Sequence, residues 1–148
     1  MTRTAHRAFT LVEILIVVVI LGILAAIVIP QFASATGQAS ASATYSELQK
    51  IRRTIGVWRV RNPGTPAPFV DGDGETGWGP IVGNEREYLL SAPINAWVGG
   101  VNGKVVRIEP NASADVAFHT DYGWKFDPES WEVYAAGFDA NDNPIPRN

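Results

Sequence analysis

The chain has no cysteine. That excludes a disulfide framework, a thiolate metal centre and a thiol nucleophile. Histidine is nearly absent too, with only His6 near the N-terminus and His119 on an expected strand. A lone strand histidine with no nucleophile or second ligand nearby is far more often structural than catalytic. There is no P-loop, no Rossmann fingerprint and no HExxH pair. No catalytic residue is therefore assigned, and the chain reads as a non-enzyme. Charge is also sparse, at 18% of residues with a formal net charge of −3. A mildly acidic chain is a poor partner for nucleic acid, whose binding rests on phosphate contacts.

What is present is one long apolar run. Residues Phe9 to Phe32 read FTLVEILIVVVILGILAAIVIPQF, with a single carboxylate, Glu13, near the start. Roughly 20 apolar residues are enough for a helix to cross a bilayer core. A carboxylate inside such a span costs about 2.5 to 3.5 kcal/mol, so it needs a partner or a purpose. The leader MTRTAHRA carries Arg3 and Arg7 and no acid. Those charges orient the segment with its N-terminus cytoplasmic and the rest of the chain outside. Two plainer readings stand beside a specialised one. An ordinary secretory signal would be cut after Ala33-Ser34-Ala35, but the run exceeds a usual h-region and contains Glu13. A simple single-span anchor accounts for the length and leaves Glu13 without a role.

The order of basic leader, Phe9, Thr10, an apolar pair, Glu13 and a long apolar run resembles the N-terminus of type IV pilins and type II secretion pseudopilins. The resemblance implies cleavage between Ala8 and Phe9 by a prepilin peptidase, followed by N-methylation of Phe9. The family usually has Gly before the cut, and Ala8 is nearly as small. Removal of residues 1–8 would take the formal charge from −3 to −5. Gly22 and Pro30 fall where pilin-like helices carry a Gly and a Pro, so Glu13, Gly22 and Pro30 are the implied assembly residues. Absence of cysteine fits a major pseudopilin, since many type IV pilins close a C-terminal loop with a disulfide.

Residues 33–44 look like low-complexity linker, and a flexible tether is one reading. A continued helix is the preferred one. Ala41, Leu48, Ile51, Ile55 and Trp58 recur at helical spacing and make one apolar stripe. Asn62-Pro63-Gly64 then ends the helix, and Pro30 is expected to kink it. Residues 64–83 read as a loop, with a short helical turn expected at about 85–90. Residues 104–108, 116–119, 123–126 and 131–135 are short β-prone runs, with Asp127-Pro128-Glu129-Ser130 as a hairpin turn. The expected fold is α+β and pilin-like: a long N-terminal helix whose second half packs on a small antiparallel sheet. The expected divisions are a removed leader (1–8), a membrane and filament-core helix (9–32) and a periplasmic part (33–148). That last part comprises helix to about 61, connecting loop 62–103, and sheet and tail 104–148.

Two further features invite a ligand reading. Five tryptophans, Trp58, Trp78, Trp97, Trp124 and Trp131, suit either a crowded small core or an aromatic binding platform. Trp78, in a Gly-rich loop, is the best exposed candidate, and exposure of three or more would favour a membrane-anchored binding module. Acidic loops raise calcium as a cofactor: Asp71, Asp73 and Glu75 in one, Asp139, Asn141 and Asn143 in the other, with Asp121 nearby. Neither completes an EF-hand, and a solvated turn is the plain alternative. Major pseudopilins bind calcium in a C-terminal loop, and so the resemblance supports the second loop.

The function that the resemblance implies is a structural subunit of a type II secretion pseudopilus. Its implied partners are further copies, other pseudopilins, the peptidase, an inner-membrane platform with its ATPase, and membrane lipid. A type IV pilin for adhesion, motility or DNA uptake is the alternative.

Overall fold

A computed structural model describes residues 9–67, 69, 76–82 and 88–147. One helix, α1 (Leu11–Arg61), is followed by short 3-10 helices at Thr76–Val82 and Val101–Lys104. Three short strands complete the order: β1 (Val106–Ile108), β2 (Trp124–Phe126) and β3 (Val133–Ala135). The chain divides into two compact units, Met1–Gly37 and Gln38–Asn148.

In the first unit the helix is apolar on every face from Ile14 to Ile29. Its aliphatic side chains from Leu11 to Ile29 are all exposed. Helical assignment runs through Pro30, and Thr36 Oγ1 donates back to the Phe32 and Ala33 carbonyls, both at 3.0 Å. Residues 33–44 are therefore helix rather than tether.

In the second unit the expected stripe is the buried face of α1. Leu48, Ile51 and Ile55 are buried, and Thr44 extends the stripe one turn towards the N-terminus. Ala41 and Trp58 pack at its margins. The helix ends at Arg61, immediately before Asn62-Pro63-Gly64. Asn62 Nδ2 and its backbone N–H both donate to the Trp58 carbonyl, satisfying an acceptor that the helix end leaves open. Against the stripe lie Val106, Trp124, Phe126, Val133 and Phe138 from the sheet side, with Phe69, Trp78 and Ile81 filling the connection.

The sheet departs from the antiparallel expectation. β2 and β3 are an antiparallel hairpin in the register Trp124↔Ala135 and Phe126↔Val133. β1 instead runs parallel to β2, Val106 opposite Trp124. A parallel pair needs a long crossover to bring the chain back to the same end, and residues 109–123 supply it. That is why the run 116–119 is not a strand. It belongs to the crossover, where Val116 is 99% exposed and Phe118 only half-buried. The expected helical turn at 85–90 lies largely outside the described residues, and 88–90 are not helical. Gly123 is required where the crossover meets β2, because a Cβ there would lie 2.2 Å from the Gly103 carbonyl oxygen.

Two polar clusters hold the parts together. Asn95 is fully buried and joins three elements. Its amide donates to the Gly123 and Ala136 carbonyls at 2.7 and 2.9 Å. Its Oδ1 accepts from Thr44 Oγ1 at 3.2 Å and from the Trp97 and Val98 N–H groups at 2.9 and 3.0 Å. The second cluster anchors the crossover. Asp115 accepts from Lys125 Nζ at 3.0 Å, the Gly137 N–H at 2.9 Å and Tyr122 Oη at 3.3 Å, and lies 2.8 Å from His119 Nε2. Lys125 also donates to the Ser113 carbonyl at 2.8 Å.

Burial pushes the Asp115 carboxyl up, but the Gly137 N–H and the Lys125 ammonium outweigh it and hold the group below its usual value. Burial likewise opposes the charge on Lys125, and the Asp115 carboxylate overcomes it and raises that group. The Asp115 contribution is therefore present above about pH 4 and lost as acid protonates the folded state. The Lys125 contribution is complete below about pH 10.5 and lost as the pH rises through its folded value. Urea midpoints measured from pH 3 to 11 should fall at both ends. Asp115→Asn should be less stable at pH 7, with a shallower acid limb. An acid limb identical in the variant and its parent would show that this cluster does not govern acid stability.

Candidate functional site

The exposed apolar segment of α1 is the site with the clearest chemistry. Its start is a capping box. Thr10 is the N-cap: its hydroxyl accepts from the Glu13 N–H at 3.2 Å. Glu13 Oε2 accepts in return from the Thr10 N–H and the Thr10 hydroxyl, both at 2.8 Å. The carboxylate thus sits at the positive end of the helix dipole, where an anion is favoured. The motif placed Thr10 beside Glu13 without giving it the capping role that the T-x-x-E spacing signals. Phe9 lies beside the box and is 76% exposed. Gly22 sits on the same helix with open space around it, and Pro30 lies further along. Ala8 lies outside the described residues.

The tryptophans form a core rather than a platform. Trp78, Trp97 and Trp124 are buried, and Trp58 and Trp131 are half-buried. Trp78, expected to be the most exposed, is fully buried. Its indole N–H donates to the Lys104 carbonyl at 2.8 Å, and its ring meets Phe69 and Trp124 edge-on. A large ring in a Gly-rich loop repays its ordering only by filling a core. His119 lies on the crossover, bound to Asp115, and not on a strand.

The calcium candidates are separated in part. Asp71, Asp73 and Glu75 lie outside the described residues. Asp139, Asn141 and Asn143 share one turn, in which Asp139 Oδ1 accepts the Asn141 and Asn143 N–H groups at 2.8 and 2.9 Å. Those bonds hold the Asp139 carboxyl below its usual value, that of Asn143 first. Asp121 belongs to the crossover, and its N–H faces His119 Nδ1 at 3.4 Å. Among the described residues no three His, Cys, Asp or Glu side chains gather as a metal cluster would need.

A pilin-like α+β chain with an apolar N-terminal helix long enough to cross a membrane is the class that the fold and this segment define. Comparison sharpens it: the family described as "Prokaryotic N-terminal methylation motif" matches residues 3–29. The chain is 39% identical over 67 residues to the type II secretion system core protein G of Pseudomonas aeruginosa, covering 45% of this chain and 47% of that one. It is 42% identical over 53 residues to the type IV major fimbrial protein FimA of Dichelobacter nodosus, covering 36% of this chain and 34% of that one. A type IV narrow pilus major component of Thermus thermophilus is 37% identical over 60 residues, covering 40% of this chain and 52% of that one. The chain thus spans about half or less of the length of the curated relatives it matches. No solved structure matches it.

Proposed function

We propose that this chain is a structural subunit of a type II secretion pseudopilus, held in the inner membrane by residues 9–32 and polymerised through them. The observation that carries this is the exposed surface of α1 from Leu11 to Ile29, apolar but for Glu13 near its start and lying in the methylation motif. In lipid those side chains are solvated by acyl chains. In a filament they bury against the same segment of neighbouring copies, so one surface serves both states. The leader, residues 1–8, is removed between Ala8 and Phe9 by a prepilin peptidase, and the new Phe9 amine is methylated. Gly22 permits close helix approach, and residues 33–148 form the periplasmic part. A platform and its ATPase drive assembly, other pseudopilins join the filament, and the chain itself performs no catalysis. In this reading calcium would be held by Asp139, Asn141 and Asn143 in the C-terminal turn, and Asp121 stands on the crossover. A type IV pilin is the second reading, favoured by the similarity to the two pilus proteins.

Processing is the direct test. Mass spectrometry of the membrane or assembled form should find Phe9 at the N-terminus, carrying one methyl group. An N-terminus after Ala35 would mean a removed secretory signal and would sink both filament readings. Deleting the gene then separates them, because loss of secreted enzymes marks a pseudopilus and loss of surface fibres marks a pilus.

A further inference from the structure

The second half of α1 and the sheet carry opposite charge. From Gln38 to Arg61 the helix has Lys50, Arg52, Arg53, Arg59 and Arg61 against one acid, Glu47. After Val105 the chain has eight acids against Arg107, Lys125 and Arg147. Several of these charges are satisfied within the fold: Arg52 Nη2 donates to Asp142 Oδ1 at 3.1 Å, and Asp127 accepts the Ser130 hydroxyl at 2.7 Å. Others are not. Arg53 is exposed and forms no ion pair among the described residues. Lys50 is exposed and pairs with the half-buried Glu47 at 3.2 Å on the adjacent turn. At the β2–β3 hairpin, Glu129 and Glu132 are exposed on either side of Trp131 and also form no ion pair among the described residues.

Lys50 and Arg53 border a furrow between α1 and the segment 88–96. It is lined by Val57 and Ile94, 42% and 49% exposed, and also by Glu47 beside Lys50. A basic pair set among exposed aliphatic groups suits an acidic tip with an apolar body. The hairpin tip has that character: Pro128 precedes Glu129, and the half-buried Trp131 ring, with the Arg59 guanidinium 5.4 Å from its centroid, lies between Glu129 and Glu132 in sequence.

We propose that this furrow receives the β2–β3 hairpin tip of a second copy of this chain, Lys50 and Arg53 facing the partner's Glu129 and the partner's Glu132. The inference rests on the filament reading above and names the contact between the head parts. The two patches are different surfaces of one molecule, so the contact is heterologous. Such a contact repeats from copy to copy and builds an open helical filament where the rotation between copies does not close a ring.

The absence of cysteine leaves the chain open to site-specific probes, and the test uses the full-length protein assembled in membranes. A photoreactive side chain at Val57 should give covalent dimers whose joined peptide contains residues 127–134 of the other copy. Arg53→Glu should reduce that product by roughly tenfold, and adding Glu132→Lys should restore it, since like charges facing each other repel. A parallel sample with the probe at Ile20 reports on packing of the apolar helices. Ile20 dimers without Val57 dimers would overturn the furrow contact and leave the filament reading standing. Loss of both would overturn the filament reading and this contact with it. Val57 products joined to a different protein, or unchanged by Arg53→Glu, would also overturn the proposal.

Discussion

Glu13→Ala is expected to leave the chain inserted in the membrane and cut before Phe9, yet to abolish filaments. Removing a carboxylate from an apolar span relieves a cost of about 2.5 to 3.5 kcal/mol, so insertion holds or improves. Residues flanking the cleavage site are unchanged. In the assembled state the Phe9 ammonium would enter a packed helical core without its counter-charge. Leaving one member of a buried pair unpaired costs about 3 to 5 kcal/mol, a loss of roughly two to four orders of magnitude per contact. The capping box adds a second strand to the argument, because Ala also deletes the acceptor for the Thr10 N–H and hydroxyl. Loss of such a cap costs only about 1 kcal/mol. Glu13→Gln separates the effects, since an amide oxygen keeps the box while the charge is gone. Insertion, cleavage and filament yield should be followed separately in the same cells. Near-normal filaments from the Gln variant would mean that the carboxylate starts the helix and does not set the register.

A second large effect is expected at Asn95. Asn95→Ala takes the amide partner from the Val98 N–H and the Ala136 carbonyl, while the Trp97 N–H keeps Thr44 Oγ1, the Thr44 hydroxyl keeps the Ser40 carbonyl and the Gly123 carbonyl keeps the Ala136 N–H. Each buried polar group left unsatisfied costs about 1 to 3 kcal/mol. For these two groups the loss is about 2 to 6 kcal/mol, against a total stability of about 5 to 15 kcal/mol for a domain. Urea unfolding, followed by tryptophan fluorescence on a chain deleted through Gln31, measures it. The variant should be largely unfolded at low urea or shifted far below its parent. A change under about 1 kcal/mol would show that water replaces the amide at little cost and that Asn95 does not hold the three elements together.

The N-terminal third was readable from residues alone. Composition determined an apolar helix with one acid, because no other backbone form satisfies its own hydrogen bonds in lipid. Periodicity determined the buried stripe of Leu48, Ile51 and Ile55, and Asn62-Pro63-Gly64 determined where the helix stops. Each of these signals acts within a few residues of where it is read. The hairpin was readable for the same reason, with Asp127-Pro128-Glu129-Ser130 joining two alternating runs.

Tertiary structure alone decided the rest. Whether β1 lies parallel or antiparallel to β2 depends on the path of residues 109–123, and no local pattern in that stretch states it. Trp78 looked exposed from its glycine-rich neighbours and is buried because Phe69, Trp124 and the Lys104 carbonyl converge on it. Asn95 gave no signal, since a single amide in SAPINAW has meaning only when Thr44, Gly123 and Ala136 meet around it. Local order follows from torsion preferences and the spacing of apolar groups along the chain. Long-range order follows from which buried donors and acceptors find each other once that chain has folded back on itself.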